Sequence, residues 1–204
     1  MFSVKDKIII VTGASGVIGS AISVALAING AKLAILGRHE KKLQITFEKI
    51  AEFGDEHIQF PCDVLNVESL QKAKEAIQTK FEKIDALINV AGGATKGAST
   101  KVEFLNDDTP MEDSFFGVNL DDFGYTSDLN FMGSVNPIKV FGESMAEQKS
   151  GNIINISSMG AIQPLSKSPA YSAGKAAISN FTQWLAVHLS KVNIRVNAIA
   201  PGFI

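Results

Sequence analysis

Tyr171 and Lys175 stand four residues apart in the stretch Ala170-Tyr171-Ser172-Ala173-Gly174-Lys175, a spacing that puts a phenol and an ammonium on one face of a helix. Such a pair can donate and recover a proton. An unperturbed phenol ionises near pH 10, so its use near neutrality requires about 4 kcal/mol of added stabilisation for the phenolate. An exposed ion pair supplies only about 0–1 kcal/mol. The chemistry therefore demands a desolvated cleft with a second positive group beside the pair. Alone, the pair is more often part of a solvated helix face, and the rest of the chain has to decide.

The chain has 204 residues, 46% of them hydrophobic, and a formal charge of −2. That is enough for one sizeable core and too balanced for a nucleic-acid partner. Residues 8–37 are very apolar, but Gly13, Gly16, Gly19 and Gly30 divide them and β-branched runs alternate with alanine-rich ones. They read as a buried strand, helix and strand, with no membrane span. The start, Met1 to Lys7, lacks the basic, apolar and small-residue regions of a signal peptide, so a cytoplasmic location is expected. Cys62 is the sole cysteine, which excludes an internal disulfide and a multi-cysteine metal site. His39, His57 and His188 show no ligand spacing, and no metal is expected.

Positioning Tyr171 and Lys175 falls to an alternation of strands and helices. β-Branched runs at Ile8–Thr12, Lys32–Leu36, Ile58–Pro61, Ala86–Val90, Asn152–Ser157 and Ile194–Ala198 read as strands. Helical patterns occupy Val17–Asn29, Lys41–Phe53, Val67–Phe81, a long stretch within Phe123–Lys149, and Ala170–Ser190. This predicts an α/β, three-layer, doubly wound parallel sheet in a single domain, 1–204. Its ligand would bind beyond the strand C-termini, where the strand order reverses. Two irregularities interrupt the rhythm. Residues 93–127, following Gly92, form a polar insertion longer than a compact domain usually allows, expected to be a functional loop or partly disordered. Pro137 falls inside the long helix, where its missing N–H frees the Gly133 carbonyl and predicts a kink beside Asn130.

After the first strand comes Thr12-Gly13-Ala14-Ser15-Gly16-Val17-Ile18-Gly19, a glycine-rich turn opening a helix. Backbone N–H groups and a helix N-terminus facing a pyrophosphate suit a dinucleotide, although the glycine spacing departs from the usual fingerprint. The second strand ends Ile35-Leu36-Gly37-Arg38-His39, with no acidic residue to accept from a ribose 2′-hydroxyl. Arg38 can hold a 2′-phosphate instead, which favours NADP; a solvated arginine at a helix start is the plainer reading.

Thr12–Gly19, Asp63, Asn89-Val90-Ala91-Gly92, Asn130, Ser158, Tyr171, Lys175 and Asn197–Gly202 occur in the order shown by the short-chain dehydrogenase/reductase family, which the chain resembles over essentially its whole length. The resemblance implies a Rossmann-like fold and an NAD(P)-dependent oxidoreductase. It implies that Tyr171 transfers the proton, that Lys175 holds the nicotinamide ribose and lowers the tyrosine pKa, and that Ser158 orients the substrate carbonyl or alcohol. Ser158, thirteen residues before Tyr171, matches the family separation, and Ser157, fourteen before it, does not. Asn130 would place a relay water, Asp63 would bond the adenine amine, and Asn89 would steady the central strand. Cofactor contacts are implied at Gly13, Ser15, Gly16, Val17, Ile18, Gly19, Arg38, Asp63, Val64, Asn89, Ala91, Gly92, Tyr171, Lys175, Pro201 and Gly202.

Three departures stand against the family pattern. Val17 takes a glycine position, with Gly16 displaced by one. Val90 replaces the second asparagine of the family's Asn-Asn-Ala-Gly. The sequence also stops at Ile204, soon after Pro201-Gly202, where the family continues with a nicotinamide-contacting loop, a mobile lid and a last strand, so the lid and final strand are expected to be missing.

Within the family, the insertion, Pro137, the string Asn152–Met159 and the string Phe181–His188 are similar to those of D-mannonate oxidoreductases, also called fructuronate reductases. That implies interconversion of D-fructuronate and D-mannonate with NAD or NADP. Lys96, Lys101 or Lys167 can pair with a sugar-acid carboxylate, or simply be solvated. Two other readings stay open: reduction of another carbonyl, such as 5-ketogluconate or a 3-oxoacyl thioester, and nucleotide binding without catalysis. The resemblance also implies a homodimer or homotetramer through helices around Phe131–Gln148 and Ala176–Leu189. Phe131, Val135, Phe141, Phe181, Trp184 and Leu185 give those helices apolar faces.

Overall fold

The computed structural model of the protein describes residues 3–202. Met1, Phe2, Phe203 and Ile204, at the ends of the expected 1–204 domain, lie outside the described residues. Six strands form one sheet: β1 (Ile8–Thr12), β2 (Lys32–Gly37), β3 (Ile58–Pro61), β4 (Ala86–Asn89), β5 (Gly151–Ile156) and β6 (Ile194–Ile199). Their order is β3-β2-β1-β4-β5-β6 and every pairing is parallel. The chain winds outward from β1 in one direction and from β4 in the other, so the reversal falls between those two strands. Both strand C-termini open there.

All five residues of β1 are buried because both faces of the sheet are covered. Ile8 and Ile10 join a core cluster with Leu70, Ile77, Phe141 and Met145, from α3 (Val67–Lys80) and α5 (Met132–Gln148). Ile9 and Val11 join the opposite cluster with Ala27, Leu43 and Ile50, from α1 (Val17–Ile28) and α2 (Glu40–Ala51). β6 differs: Ile194 and Val196 are buried while Arg195 and Asn197 are exposed, the alternation of a strand covered on one face.

The long helix expected within Phe123–Lys149 is two helices, α4 (Leu120–Asn130) and α5, interrupted at Phe131. The break does lie beside Asn130, but Pro137 sits inside α5. At the break, the Ser134 N–H bonds the Phe131 carbonyl at 3.0 Å, so the Asn130 carbonyl lacks the N–H an unbroken helix would give it. The insertion also needs correction. Its final residues 120–127 are helix, because Asn119 caps α4 by accepting from Asp122 N–H at 2.9 Å while Asp121 and Asp122 complement the helix N-terminus. The rest carries three short 3₁₀ turns, Lys96–Ala98, Met111–Asp113 and Phe115–Gly117. α6 (Pro169–His188) begins with proline at its first position. Of the apolar residues expected to face a partner, Phe141 and Leu185 are spent on the protein's own core, whereas Trp184 is 57% exposed.

Candidate functional site

Glycine sterics set the first wall. Gly13 has φ +64°, and a Cβ there would lie 2.6 Å from the Ala91 nitrogen at the end of β4. A Cβ on Gly19 would lie 2.3 Å from the Gly13 carbonyl oxygen, so the turn and the first coil of α1 pack with no room for a side chain. Gly16 is looser, 3.3 Å from that same oxygen. It caps α1 without a side-chain hydrogen bond, which leaves the helix N–H groups facing the cleft, and Val17 beside it is 86% exposed. Thr12 ties this turn across the strand reversal by accepting from the Val90 and Ala91 N–H groups at 3.2 and 3.4 Å.

Between these walls lies a cleft of about 400 Å³. Of the residues singled out from the sequence, Gly13, Ser15, Gly16, Val17, Ile18, Gly19, Arg38, Val64, Ala91, Gly92, Ser158, Tyr171, Lys175, Pro201 and Gly202 line it. Asp63, Asn89 and Asn130 do not line it. Asp63 accepts from Leu65 N–H at 3.0 Å and holds the turn after β3. Asn89 is buried in the sheet, donating to Asn155 Oδ1 at 2.9 Å, while Asn155 donates to Thr182 Oγ1 at 2.9 Å. Sequence reasoning missed Gly37, His39, Cys62, Val90, Gly93, Leu129, Ile156 and Ser157 as lining. Gly37 and His39 could have been found as neighbours of Arg38, and Gly93 as the residue after Gly92.

Lys175 is 4% exposed, donates to the Ile156 carbonyl at 2.6 Å, and lies 5.7 Å from the centroid of the Tyr171 ring. Burial lowers its pKa to about 8. Its place depends on two glycines. Gly174 lets α6 approach α4 so closely that a Cβ would lie 2.9 Å from the Asn130 Cβ. At Gly92 a Cβ would lie 2.9 Å from Asn130 Oδ1 and 3.2 Å from Lys175 Nζ. Asn130 is fully buried and its side chain is committed: its amide donates to the Gly93 and Thr126 carbonyls at 2.6 and 2.8 Å, and Oδ1 accepts from Gly93 N–H at 3.3 Å.

The two adjacent serines point differently. Ser157 Oγ lies 2.5 Å from Ser179 Oγ and donates to the Lys175 carbonyl at 3.3 Å, so it fastens β5 to α6. Ser158 Oγ accepts from Gly160 N–H at 3.1 Å and keeps a proton to donate. A second cavity of about 270 Å³ adjoins the cleft, lined by Ala94, Ser158, Met159, Leu165, Ser168, Tyr171 and Gly202. Ser158, Tyr171 and Gly202 line both spaces, so the phenol stands at their junction. Lys96, Lys101 and Lys167 line neither, and Lys101 is paired with Asp113 at 2.5 Å.

A dinucleotide fits these residues: the glycine cradle would be filled by any Cβ at Gly13 or Gly19, uncapped N–H groups of α1 meet it, and a buried ammonium closes its far end. Among the described residues no helix is long and apolar enough to cross a membrane, and no group of His, Cys, Asp or Glu could hold a metal.

A family model described as short chain dehydrogenase matches residues 7–204. An uncharacterized oxidoreductase of Haemophilus influenzae is 42% identical over 206 residues, spanning 99% of this chain and 71% of that protein. Among solved structures, one described as a candidate D-mannonate oxidoreductase from Haemophilus influenza with bound NAD superposes with a TM-score of 0.93 at 42% identity, covering 99% of this chain and 72% of the other. NAD⁺-bound xylitol dehydrogenase gives 0.86 at 32% identity, covering 99% and 72%.

Proposed function

Because the chain belongs to the short-chain dehydrogenase/reductase family of NAD(P)-dependent oxidoreductases, we propose that it transfers a hydride between a nicotinamide cofactor and a sugar acid, interconverting D-fructuronate and D-mannonate. The observation that carries this reading is the phenol of Tyr171 at the junction of a dinucleotide cleft and a smaller cavity, with Ser158 on the same wall and Lys175 buried behind it. The likeness to a candidate D-mannonate oxidoreductase supports the substrate class.

When bound, the cofactor supplies the hydride donor or acceptor. Tyr171 gives its proton to the developing alkoxide and takes it back in the reverse direction. Ser158, whose hydroxyl proton is uncommitted, donates to the same oxygen and fixes the carbonyl plane. Lys175 brings a positive charge that stabilises the phenolate, held by the Ile156 carbonyl. Asn130 acts through position: its side chain braces Gly93, and its main-chain carbonyl, freed at the helix break, is the group that would hold a relay water. Asn89 steadies the central strands through Asn155, and the second oxygen of Asp63 remains for an adenine amine.

The substrate carboxylate requires a positive field, and no lysine lines the smaller cavity. The N-terminus of α6 supplies one: Ser168 caps the helix without a side-chain hydrogen bond and lines the cavity directly. The outer face of α6, where Trp184 stacks between Phe181 and His188, fits a homodimer or homotetramer contact. The test of function is oxidation of NADH and, separately, NADPH with D-fructuronate by wild type and Tyr171→Phe. Tyr171-dependent turnover is expected. Undiminished turnover by Tyr171→Phe would overturn the mechanism, and activity confined to other carbonyls would overturn the substrate.

A further inference from the structure

Arg38 follows directly on β2 and lines the cleft where a dinucleotide's adenosine ribose would be read, at the position where an arginine accommodates a 2′-phosphate. Its guanidinium is already engaged. It donates to the phenol oxygen of Tyr125 and lies 6.0 Å from the centroid of that ring. Tyr125 belongs to α4, 87 residues further along the chain, and is 36% exposed. No carboxylate pairs with Arg38 among the described ion pairs, so its polar side-chain partner is a neutral oxygen.

A neutral partner changes the arithmetic of cofactor choice. A 2′-phosphate offers charged oxygens that a guanidinium binds in two-point fashion, and the Arg38 Nη1 that would join such a contact is turned to Tyr125 instead. An unphosphorylated ribose carries no charged group to draw Arg38 away from Tyr125. The phenol therefore competes with the 2′-phosphate for one guanidinium, and only the phosphorylated cofactor meets that competition. We propose that Tyr125 is a specificity-determining residue that withholds Arg38 from the 2′-phosphate and biases the cleft toward NAD(H). The inference rests on the dinucleotide reading above.

Equilibrium binding tests it without turnover. Dissociation constants for NADH and NADPH are measured by nucleotide fluorescence in wild type, Tyr125→Phe, Arg38→Ala and the double variant. Phenylalanine keeps the ring and loses only the hydroxyl at a half-exposed site, so the fold is retained. Tyr125→Phe is expected to tighten NADPH about tenfold, the scale of one hydrogen bond to a charged group, and to leave NADH within about twofold. In the Arg38→Ala background the same substitution is expected to change neither constant, because the effect runs through the guanidinium. Equal changes for both nucleotides, a weaker NADPH complex in Tyr125→Phe, or an undiminished effect in the Arg38→Ala background would overturn the inference while leaving the functional reading intact. If wild type bound neither nucleotide, both would fall.

Discussion

Replacing Lys175 by methionine should stabilise the free protein while abolishing turnover. Burial alone takes the Lys175 pKa from the ordinary 10.5 to about 8, so keeping it ionised at neutral pH costs about 3 kcal/mol. Methionine nearly matches the stem in length and brings no charge. It gives up the 2.6 Å bond to the Ile156 carbonyl, and an acceptor left unpaired costs about 1–3 kcal/mol. The balance is a gain of about 0–2 kcal/mol, a rise in Tm of up to about 8 °C for a chain of this size. pH fixes the sign more firmly. Because the folded pKa lies below the unfolded one, the unfolded chain binds more protons between about pH 8 and pH 10.5, and wild-type stability rises with pH across that window. The methionine variant lacks that rise, so its advantage shrinks as pH climbs. Urea unfolding of both proteins at about pH 7, 8.5 and 10 measures both effects. A variant more than about 1 kcal/mol less stable at pH 7, with the same pH slope as wild type, would refute the claim that a buried charge is held there at a cost.

Three further outcomes follow from the geometry. Ser158→Ala should lower kcat about a hundredfold with little change in Tm, whereas Ser157→Ala, which unfastens β5 from α6, should lose about 1 kcal/mol of stability and keep most activity; thermal melts and steady-state kinetics of both separate the roles. His57 accepts from Leu33 N–H at 3.2 Å, and burial first, then Lys80, lowers its pKa from 6.5; stability present above that value should fall on acidification below it, and His57→Gln should flatten the Tm profile from about pH 7.5 to about pH 5. Trp184→Glu should yield monomers in light scattering with cofactor binding preserved, and an unchanged oligomer would place the contact elsewhere.

Local chemistry made most of this molecule readable from its residues. Alternation of β-branched runs with amphipathic stretches located all six strands, the Tyr171–Lys175 spacing paired two groups of the site, and the family resemblance added Ser158 beside them. What escaped was set by tertiary packing. The end of the insertion folds as α4 because Asn119 and two aspartates start a helix, a signal masked by the polar composition around it. The break at Phe131 is a choice of hydrogen-bond partner by Ser134, which no residue type announces. That the Asn130 side chain braces Gly93 was not legible either, because only the fold shows Gly93 beside its amide. The Arg38–Tyr125 contact joins residues too distant in sequence for any spacing rule to link them.

Cys62 gives the cleft a clock. It is 3% exposed, lines the wall after β3, contacts the Ser69 hydroxyl at 3.5 Å, and has its thiol pKa raised by burial. As the sole sulfhydryl in the sequence, it makes every alkylation event report on one place. At that burial a reagent reaches it only when its surroundings open, so the rate of labelling counts those openings. A nucleotide seated against that wall would slow the count in proportion to its occupancy, converting a chemically silent side chain into a measure of how often the pocket breathes.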